Sequence, residues 1–214
     1  MNKNICILLV FMTLISCFEK KDKSIDESKN ECITLKELNL FLKTNENLKE
    51  WFDYYKSKDS TFKIADFVFE SKDTLDFVNG NVLGLFDKNF DKVYTDFLVF
   101  SADKNKYIDF DSYYWSLDDK KRPLFDIAQE INLVDLTKKS ITRIGFRTSS
   151  GWVENAFWEN DTTIILLENN TEKCPRITKV VLNDSQSESF KYKRNLSFES
   201  KYQELRLKKK GLKY

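Results

Sequence analysis

The chain has 214 residues, of which 41% are hydrophobic and 32% charged, a composition that supports a packed core and excludes a disordered chain. Its 35 basic and 34 acidic residues give a net charge of +1, so the chain lacks the basic excess expected of a nucleic-acid-binding protein. The chain contains no histidine, which excludes Ser-His-Asp and Cys-His catalysis and every zinc site that needs an imidazole ligand.

Residues 1–16 have the pattern of an export signal. Lys3 precedes an apolar run that is shorter than the roughly 20 residues needed to span a bilayer. The run ends in Leu14-Ile15-Ser16-Cys17, which resembles the lipobox of bacterial lipoproteins, an aliphatic pair followed by a small residue and cysteine. The resemblance implies that residues 1–16 are a signal peptide and that Cys17 receives a diacylglyceryl group, which makes the membrane a partner of the protein.

Residues 17–33 are predicted to be the lipidated cysteine and a hydrophilic tether. Aspartate does not follow Cys17, and by analogy with the usual sorting rule this favours the outer membrane. The Lys-, Asn- and Phe-rich composition resembles that of Bacteroidota lipoproteins. Whether the domain faces the periplasm or the outside stays open.

If the chain is a lipoprotein, the position of each cysteine predicts its fate. Cys6 leaves with the signal peptide and Cys17 carries lipid, so Cys32 and Cys174 remain in a compartment where disulfides persist. We expect these two cysteines to pair, and two separate thiols are the alternative.

Residues 34–214 are predicted to form a single globular domain that begins with a helical segment, 34–57. Thr34 and Glu37 have the spacing of a capping box, in which Thr34 caps the helix and Glu37 reaches back. Apolar residues then recur at near-helical spacing: Leu35, Leu38, Phe41, Leu42, Leu48, Trp51, Phe52 and Tyr55. A break at 45–47 leaves open whether this is one amphipathic helix or two short ones.

Residues 61–195 change to strand-like patterns separated by turn signals. Asn79-Gly80 predicts a tight turn. Hairpins are predicted over 97–110, 130–146, 154–167 and 176–193. The fold class is therefore α+β, mainly antiparallel β, with the N-terminal amphipathic helix packed on a curved or sandwiched antiparallel sheet.

Three segments, 99–106, 132–137 and 156–161, resemble β-propeller blade hairpins, in which an aromatic strand meets an Asp/Asn turn. Residues 61–195 supply about three blades, fewer than the four that closure normally requires. We therefore expect blade-like hairpins within an open sheet.

The chain ends in a predicted short helix or frayed strand, 198–207, and a basic tail, 206–214. The tail holds Arg206, Lys208, Lys209, Lys210 and Lys213. It is predicted either to be solvated or to contact anionic lipid.

Candidate ligand or partner residues come from two patterns. Asp109 and Asp111 lie two apart in a strand, so their carboxyl groups share a face and could act as an acid–base pair, or could simply face solvent. Tyr114, Trp115 and Trp152 are aromatics near turns, suited to binding a sugar or protein or to core packing. No metal site or cofactor is predicted, and Ser149 and Ser150 lack nucleophile-elbow spacing.

These features predict a non-enzymatic, lipid-anchored binding or interaction protein of the cell envelope, whose partner is an envelope protein or a glycan. The alternatives are a carbohydrate-binding protein or carboxylate-dependent glycan-acting enzyme that uses Asp109 and Asp111, and a structural envelope protein.

Overall fold

The computed structural model describes Leu40 and residues 42–213. The predicted signal peptide, Cys17, the tether, Cys32 and the capping box lie outside the described residues. The predictions for those segments therefore remain predictions.

The described chain contains two helices of eight or more residues and twelve strands. The helices are α1 (Glu46–Lys58) and α2 (Tyr202–Lys209). The first six strands are β1 (Phe67–Thr74), β2 (Val78–Asn79), β3 (Val99–Phe100), β4 (Lys106–Asp109), β5 (Trp115–Leu117) and β6 (Pro123–Phe125). The others are β7 (Gln129–Asp135), β8 (Ser140–Arg147), β9 (Gly151–Asn160), β10 (Thr163–Asn170), β11 (Arg176–Val181) and β12 (Gln186–Tyr192).

The strands form two five-stranded sheets and a separate hairpin. The first sheet has the order β1-β12-β11-β10-β9, the second has the order β2-β8-β7-β4-β3, and β5 pairs with β6. Every pair is antiparallel. The prediction of a mainly antiparallel β protein is thus confirmed.

The four predicted hairpins are confirmed as β3–β4, β7–β8, β9–β10 and β11–β12. Three of their turns place a non-glycine residue at positive φ: Lys104, Lys139 and Ser185. Such left-handed positions cost about 1–2 kcal/mol for residues with a Cβ, so pairing of the flanking strands must outweigh that cost.

The tight turn predicted at Asn79-Gly80 is wrong. Asn79 ends β2 and pairs with Thr142 of β8, and the Gly80 amide donates to the Ile141 carbonyl at 3.3 Å. Glycine is needed at position 80 for another reason, because a Cβ there would collide with the side chains of Asn132 and Ile141.

The first sheet is covered on both faces, which makes the domain three-layered. On one face, the helix-side core joins α1 to the sheet through Trp51, Ile165 and Leu167. On the other face, the inter-sheet core joins Ile164 and Leu166 to strands of the second sheet. Strand β10 is therefore apolar on both faces, which explains its unbroken run Ile164-Ile165-Leu166-Leu167.

Helix α1 begins at a polar cap and buries one stripe. The Asn45 side chain accepts a hydrogen bond from the Leu48 amide at 3.1 Å, and Asn45 itself is extended. Leu48, Trp51 and Tyr55 lie three and four residues apart and are fully buried against the first sheet. The predicted break at 45–47 thus coincides with the N-cap of this helix.

Candidate functional site

Asp109, one of the five predicted site residues, is buried at the end of β4. Its carboxylate accepts hydrogen bonds from the amides of Asp111 and Ser112, both at 3.0 Å, and from the Ser112 hydroxyl. Burial raises the pKa of Asp109, and the Ser112 hydrogen bonds oppose that rise. Asp109 closes the turn after β4 and is not open to a ligand.

Asp111 is buried in an ion pair with α2. Its two oxygens accept from Arg206 Nη1 at 2.9 Å and Nη2 at 2.6 Å, and Oδ1 also accepts from Trp115 Nε1 at 2.8 Å. The guanidinium lies over the ring of Phe110, 4.8 Å from its centroid. Both interpretations of the pair, an open acid–base pair for a ligand and a solvent-facing pair, are therefore corrected, because both carboxylates are buried and α2 covers Asp111.

The three aromatic candidates also fail to form an open surface. Trp115 is buried against Tyr94, with ring centroids 4.7 Å apart. Tyr114 is half-buried, its ring centroid lies 5.1 Å from that of Phe125, and burial raises its pKa to about 12. Trp152 is half-buried and its Nε1 lies 3.4 Å from Glu154 Oε1. Trp115 is therefore a core residue, which is the alternative interpretation given above for these aromatics.

Glu154 centres a network that the sequence did not reveal. It is fully buried, and its Oε2 accepts from Trp51 Nε1 at 2.7 Å and from the Tyr55 hydroxyl at 2.6 Å. Oε1 accepts from Ser200 at 2.5 Å. Burial raises the pKa of Glu154. The only signals were Glu154 in β9, a strand that also contains Glu159, and two polar-tipped aromatics, Trp51 and Tyr55, about one helical turn apart.

Cys174 is buried, and its thiol donates to the Tyr192 carbonyl at 3.2 Å. Burial raises the pKa of this thiol. Its predicted partner, Cys32, lies outside the described residues, so the disulfide stays a prediction.

An open cleft lies between the two sheets, beyond the inter-sheet core. It has two compartments, of about 370 Å³ and about 410 Å³, which share Arg147 and Arg176. The first is lined by β1, β8, β10, β11 and β12, and its polar groups include Glu70, Arg147, Arg176, Thr178, Ser187 and Ser189. The second is lined by Phe146, Arg147, Thr148, Ser150, Thr171 and Arg176, among others. Both volumes lie in the range of small-ligand sites.

Arg147 is held in the cleft by a nearly buried carboxylate. Its Nε donates to Glu168 Oε1 at 2.6 Å, and its Nη1 donates to the Phe146 carbonyl at 3.1 Å. Glu168 is 2% exposed, and its other oxygen accepts from the Thr178 hydroxyl at 2.6 Å. Thr178 in turn lies 3.1 Å from the Ser189 hydroxyl. The guanidinium is thus oriented before any ligand arrives.

Arg176 is held by a second carboxylate, Glu70, whose Oε2 accepts from Arg176 Nε at 2.6 Å. The register of β1 against β12 shifts between Phe69 and Ser71, which makes Glu70 the extra residue of a β-bulge. Lys191 also lies 3.7 Å from Glu70. The bulge thereby places a carboxylate in the lining of the cleft.

Phe146 contributes its main chain to the second compartment, where its carbonyl accepts from Arg147. Its side chain is 43% exposed and lies on the other face of β8, since Phe146 pairs with Glu130 while Gly145 pairs with Ile131 of the inter-sheet core. The Arg143 guanidinium lies 5.4 Å from the ring centroid. Sequence reasoning noted the adjacent loop with Ser149 and Ser150 but not the cleft, because its ion pairs join residues 21 and 106 positions apart.

Within the described residues, no cluster of three or more His, Cys, Asp and Glu side chains could hold a metal ion. Neither helix of the described chain is long and apolar enough to cross a bilayer. Comparisons of the chain with known protein families, curated proteins and solved structures gave no match.

Proposed function

We propose that this chain is a lipid-anchored binding protein of the bacterial cell envelope that holds its ligand in the inter-sheet cleft. The observation that carries the binding role is the cleft itself, with its two guanidinium groups fixed by carboxylates. Rigid polar groups in a concave site lower the ordering cost of binding.

The anchor in this proposal rests on the sequence Leu14-Ile15-Ser16-Cys17 and the short apolar run before it. Lipid on Cys17 would place the domain at a membrane, in our proposal the outer membrane. The finer fold that we propose is a sandwich of two antiparallel sheets with blade-like hairpins, flanked by α1.

Binding rather than catalysis is supported by the hydrogen bonds that two carboxylates at the cleft already accept. Glu168 accepts from both Arg147 and Thr178, and Glu70 is paired with Arg176. A glycoside hydrolase needs two carboxyl groups that face the substrate, whereas these two carboxylates already accept hydrogen bonds from the protein's own donors.

The binding role can be tested by retention of envelope material on the immobilised full chain. Thr171 is exposed and lines the second compartment, so Thr171→Trp fills that space without removing an ion pair. We expect the wild type to retain a component of detergent-extracted envelopes that Thr171→Trp loses. Equal retention by both proteins would rule out the cleft as the binding site.

The anchor can be tested by feeding cells labelled palmitate. Cys17→Ser should lose the label and leave the membrane fraction, because the acceptor sulfur is gone. Cys6→Ser is the matched control, since Cys6 lies in the segment that would be removed, and it should keep label and location. A labelled Cys17→Ser protein would contradict the anchor.

A further inference from the structure

The β5–β6 hairpin exposes several large apolar side chains. Its two strands pair only with each other and join neither five-stranded sheet. The Asp126 amide donates to the Tyr114 carbonyl at 2.7 Å, so the pairing continues past the end of β6. Ile127, the next residue, is 77% exposed, more than any other large apolar side chain of the described residues. The other exposed apolar residues of this segment are Tyr113, Leu124 and Phe125.

Lysines surround this apolar group in two segments. The turn 118–122, which joins β5 to β6, contains three basic and two acidic residues. The tail 208–213, which follows α2, contains four lysines and no acidic residue. All six lysines of these segments are exposed. Asp126, Glu50 and Asp96 lie beside the two segments, but the basic residues still outnumber the acidic ones, so both segments favour an anionic partner.

The hairpin and the tail lie on the same side of the domain. Lys210 Nζ lies 5.4 Å from the ring centroid of Phe97, and that centroid lies 5.2 Å from the ring centroid of Trp115 in β5. The Tyr114 hydroxyl lies 3.4 Å from Gln203 Oε1 of α2. Helix α2 therefore contacts the hairpin and leads directly into the lysines of the tail.

The chain enters the described domain beside the same tail. Lys209 Nζ lies 3.2 Å from Glu50 Oε1 in the first half of α1, so the end of α2 meets the beginning of α1. Leu40 is the first described residue before that helix, and residues 18–39 separate it from Cys17. Lipid on Cys17, as proposed above, would hold this side of the domain near the bilayer.

A bilayer with anionic headgroups suits both parts of this surface. Exposed apolar side chains can enter the boundary between headgroups and acyl chains, and each nearby lysine adds about 1 kcal/mol at an anionic leaflet. A soluble polyanion would leave the apolar side chains in water. A second copy of the chain, docked on the same surface, would place two sets of lysines against each other.

We infer that the β5–β6 hairpin and the tail 208–213 dock the domain on an anionic lipid bilayer. The apolar side chains of the hairpin enter the interface, and the lysines meet the headgroup phosphates. This inference rests on the anchor in the proposed function and adds a second membrane contact, which orients the domain.

The test is fluorescence of the full chain, purified from membranes and reconstituted in vesicles of phosphatidylcholine with or without phosphatidylglycerol. A polarity-sensitive fluorophore is attached at Ile127→Cys in a Cys32→Ser background, since Cys174 is buried and reacts slowly. We expect brominated lipid tails to quench this label at least twofold more strongly with phosphatidylglycerol than without it. High salt should abolish the difference, because it screens the attraction between lysine and phosphate.

Thr137→Cys in the same background is the control for the position of the label. Thr137 is exposed in the turn after β7, whereas the hairpin precedes β7, so the two positions lie at opposite ends of that strand. The label at Thr137→Cys should stay unquenched in both kinds of vesicle.

The lysines of the tail are tested by Lys209→Gln combined with Lys213→Gln. This pair should lower the quenching at Ile127→Cys at least twofold in vesicles with phosphatidylglycerol. Lys138→Gln combined with Lys139→Gln makes the same change of charge in the turn after β7 and should leave the quenching unchanged.

The inference is overturned if the label at Ile127→Cys is not quenched, if phosphatidylglycerol makes no difference, or if Thr137→Cys is quenched equally. A blue shift that grows with protein concentration in detergent, without quenching in vesicles, would assign the hairpin to a second copy instead. Flotation separates this failure from that of the anchor. Protein that floats with the vesicles but is not quenched lacks only the second contact, whereas protein that does not float lacks the anchor.

Discussion

Individual buried carboxylates are stabilised in this protein in two different ways. Asp111 is paired with a guanidinium, and its hydrogen bonds with Arg206 satisfy both oxygens. Glu154 instead receives hydrogen bonds from Trp51, Tyr55 and Ser200, none of which carries a positive charge. Without a cation, burial dominates and raises the pKa of Glu154.

Glu154→Gln should change how stability depends on pH. The raised pKa means that the native state binds the Glu154 proton more tightly than the unfolded chain, whose ordinary value is 4.5. That contribution is complete below pH 4.5 and is lost as the pH rises through the native pKa, by about 1.4 kcal/mol per pH unit within that window. Urea unfolding between pH 4 and 8 should therefore show wild type losing stability relative to Glu154→Gln.

Asp109 also has a raised pKa, but it is present in both proteins, so its effect cancels in the comparison. Glu172→Gln is the control, since it makes the same substitution at an exposed glutamate instead of a buried one. If the stability difference between wild type and Glu154→Gln does not change with pH, burial does not raise the pKa of Glu154.

At the scale of elements, helix α2 packs on the domain through residues that lie in or next to the predicted basic tail. Arg206 and Leu207 are buried, and the Tyr202 hydroxyl accepts from Asn155 at 2.9 Å. Arg206 begins the predicted tail at 206–214, yet it is one of the least exposed charges of the described chain. The helix therefore packs onto the sheets, with Arg206 as its ionic contact.

Arg206→Ala should destabilise the protein by about 3–5 kcal/mol, because it leaves the Asp111 carboxylate buried without its cation. Adding Asp111→Asn should recover part of that loss, since the neutral amide is less costly to bury. The double-mutant cycle is measured by urea unfolding.

Lys209→Ala provides the comparison on the same helix. Lys209 pairs with Glu50 at 3.2 Å, but both side chains are about half exposed, so its loss should cost less than about 1 kcal/mol. Strictly additive effects of the two core substitutions would show that Arg206 and Asp111 do not interact in solution.

At the scale of the whole molecule, one sheet belongs to both main cores. Leu167 packs toward α1 while its neighbour Leu166 packs toward the second sheet. Loss of either core would expose one face of β10. Separation of α1 or of the second sheet from the first sheet would therefore destabilise the rest of the domain. The domain is therefore expected to unfold as one unit.

Leu167→Ala should cost about 2–5 kcal/mol, because Leu167 is fully buried and the truncation leaves a cavity. Far-UV and near-UV circular dichroism should still report a single, shifted midpoint. Leu124→Ala, on the exposed face of the β5–β6 hairpin, should shift the midpoint little. Two separate transitions in Leu167→Ala would show that the layers unfold independently.

Local features of the fold were predictable because they depend on residues close in sequence. Alternating apolar residues and turn residues located the hairpins β7–β8, β9–β10 and β11–β12 to within a few residues. The order of strands within the sheets was not predictable, since β1 pairs with β12 more than a hundred residues away. No local pattern encodes such a pairing.

The candidate site was beyond sequence reasoning for the same reason. Asp109 and Asp111 are two residues apart, the spacing of neighbours on one face of a strand. In the structure, Asp109 instead closes a turn and Asp111 is covered by α2. The cleft ion pair Arg176–Glu70 depends on a bulge in β1 and on the pairing of β1, β12 and β11.

By itself, the sequence determined the absence of histidine chemistry, the balanced charge, the mainly antiparallel β class and the positions of the hairpins. Only the tertiary structure decided which carboxylates are buried, that α2 packs on the domain, and where the two sheets leave a cleft. The physical reason is that propensity and turn chemistry act between neighbours in the chain. Burial and ion pairing act between neighbours in space, and here those neighbours are up to 106 residues apart in the cleft and 95 apart at Asp111.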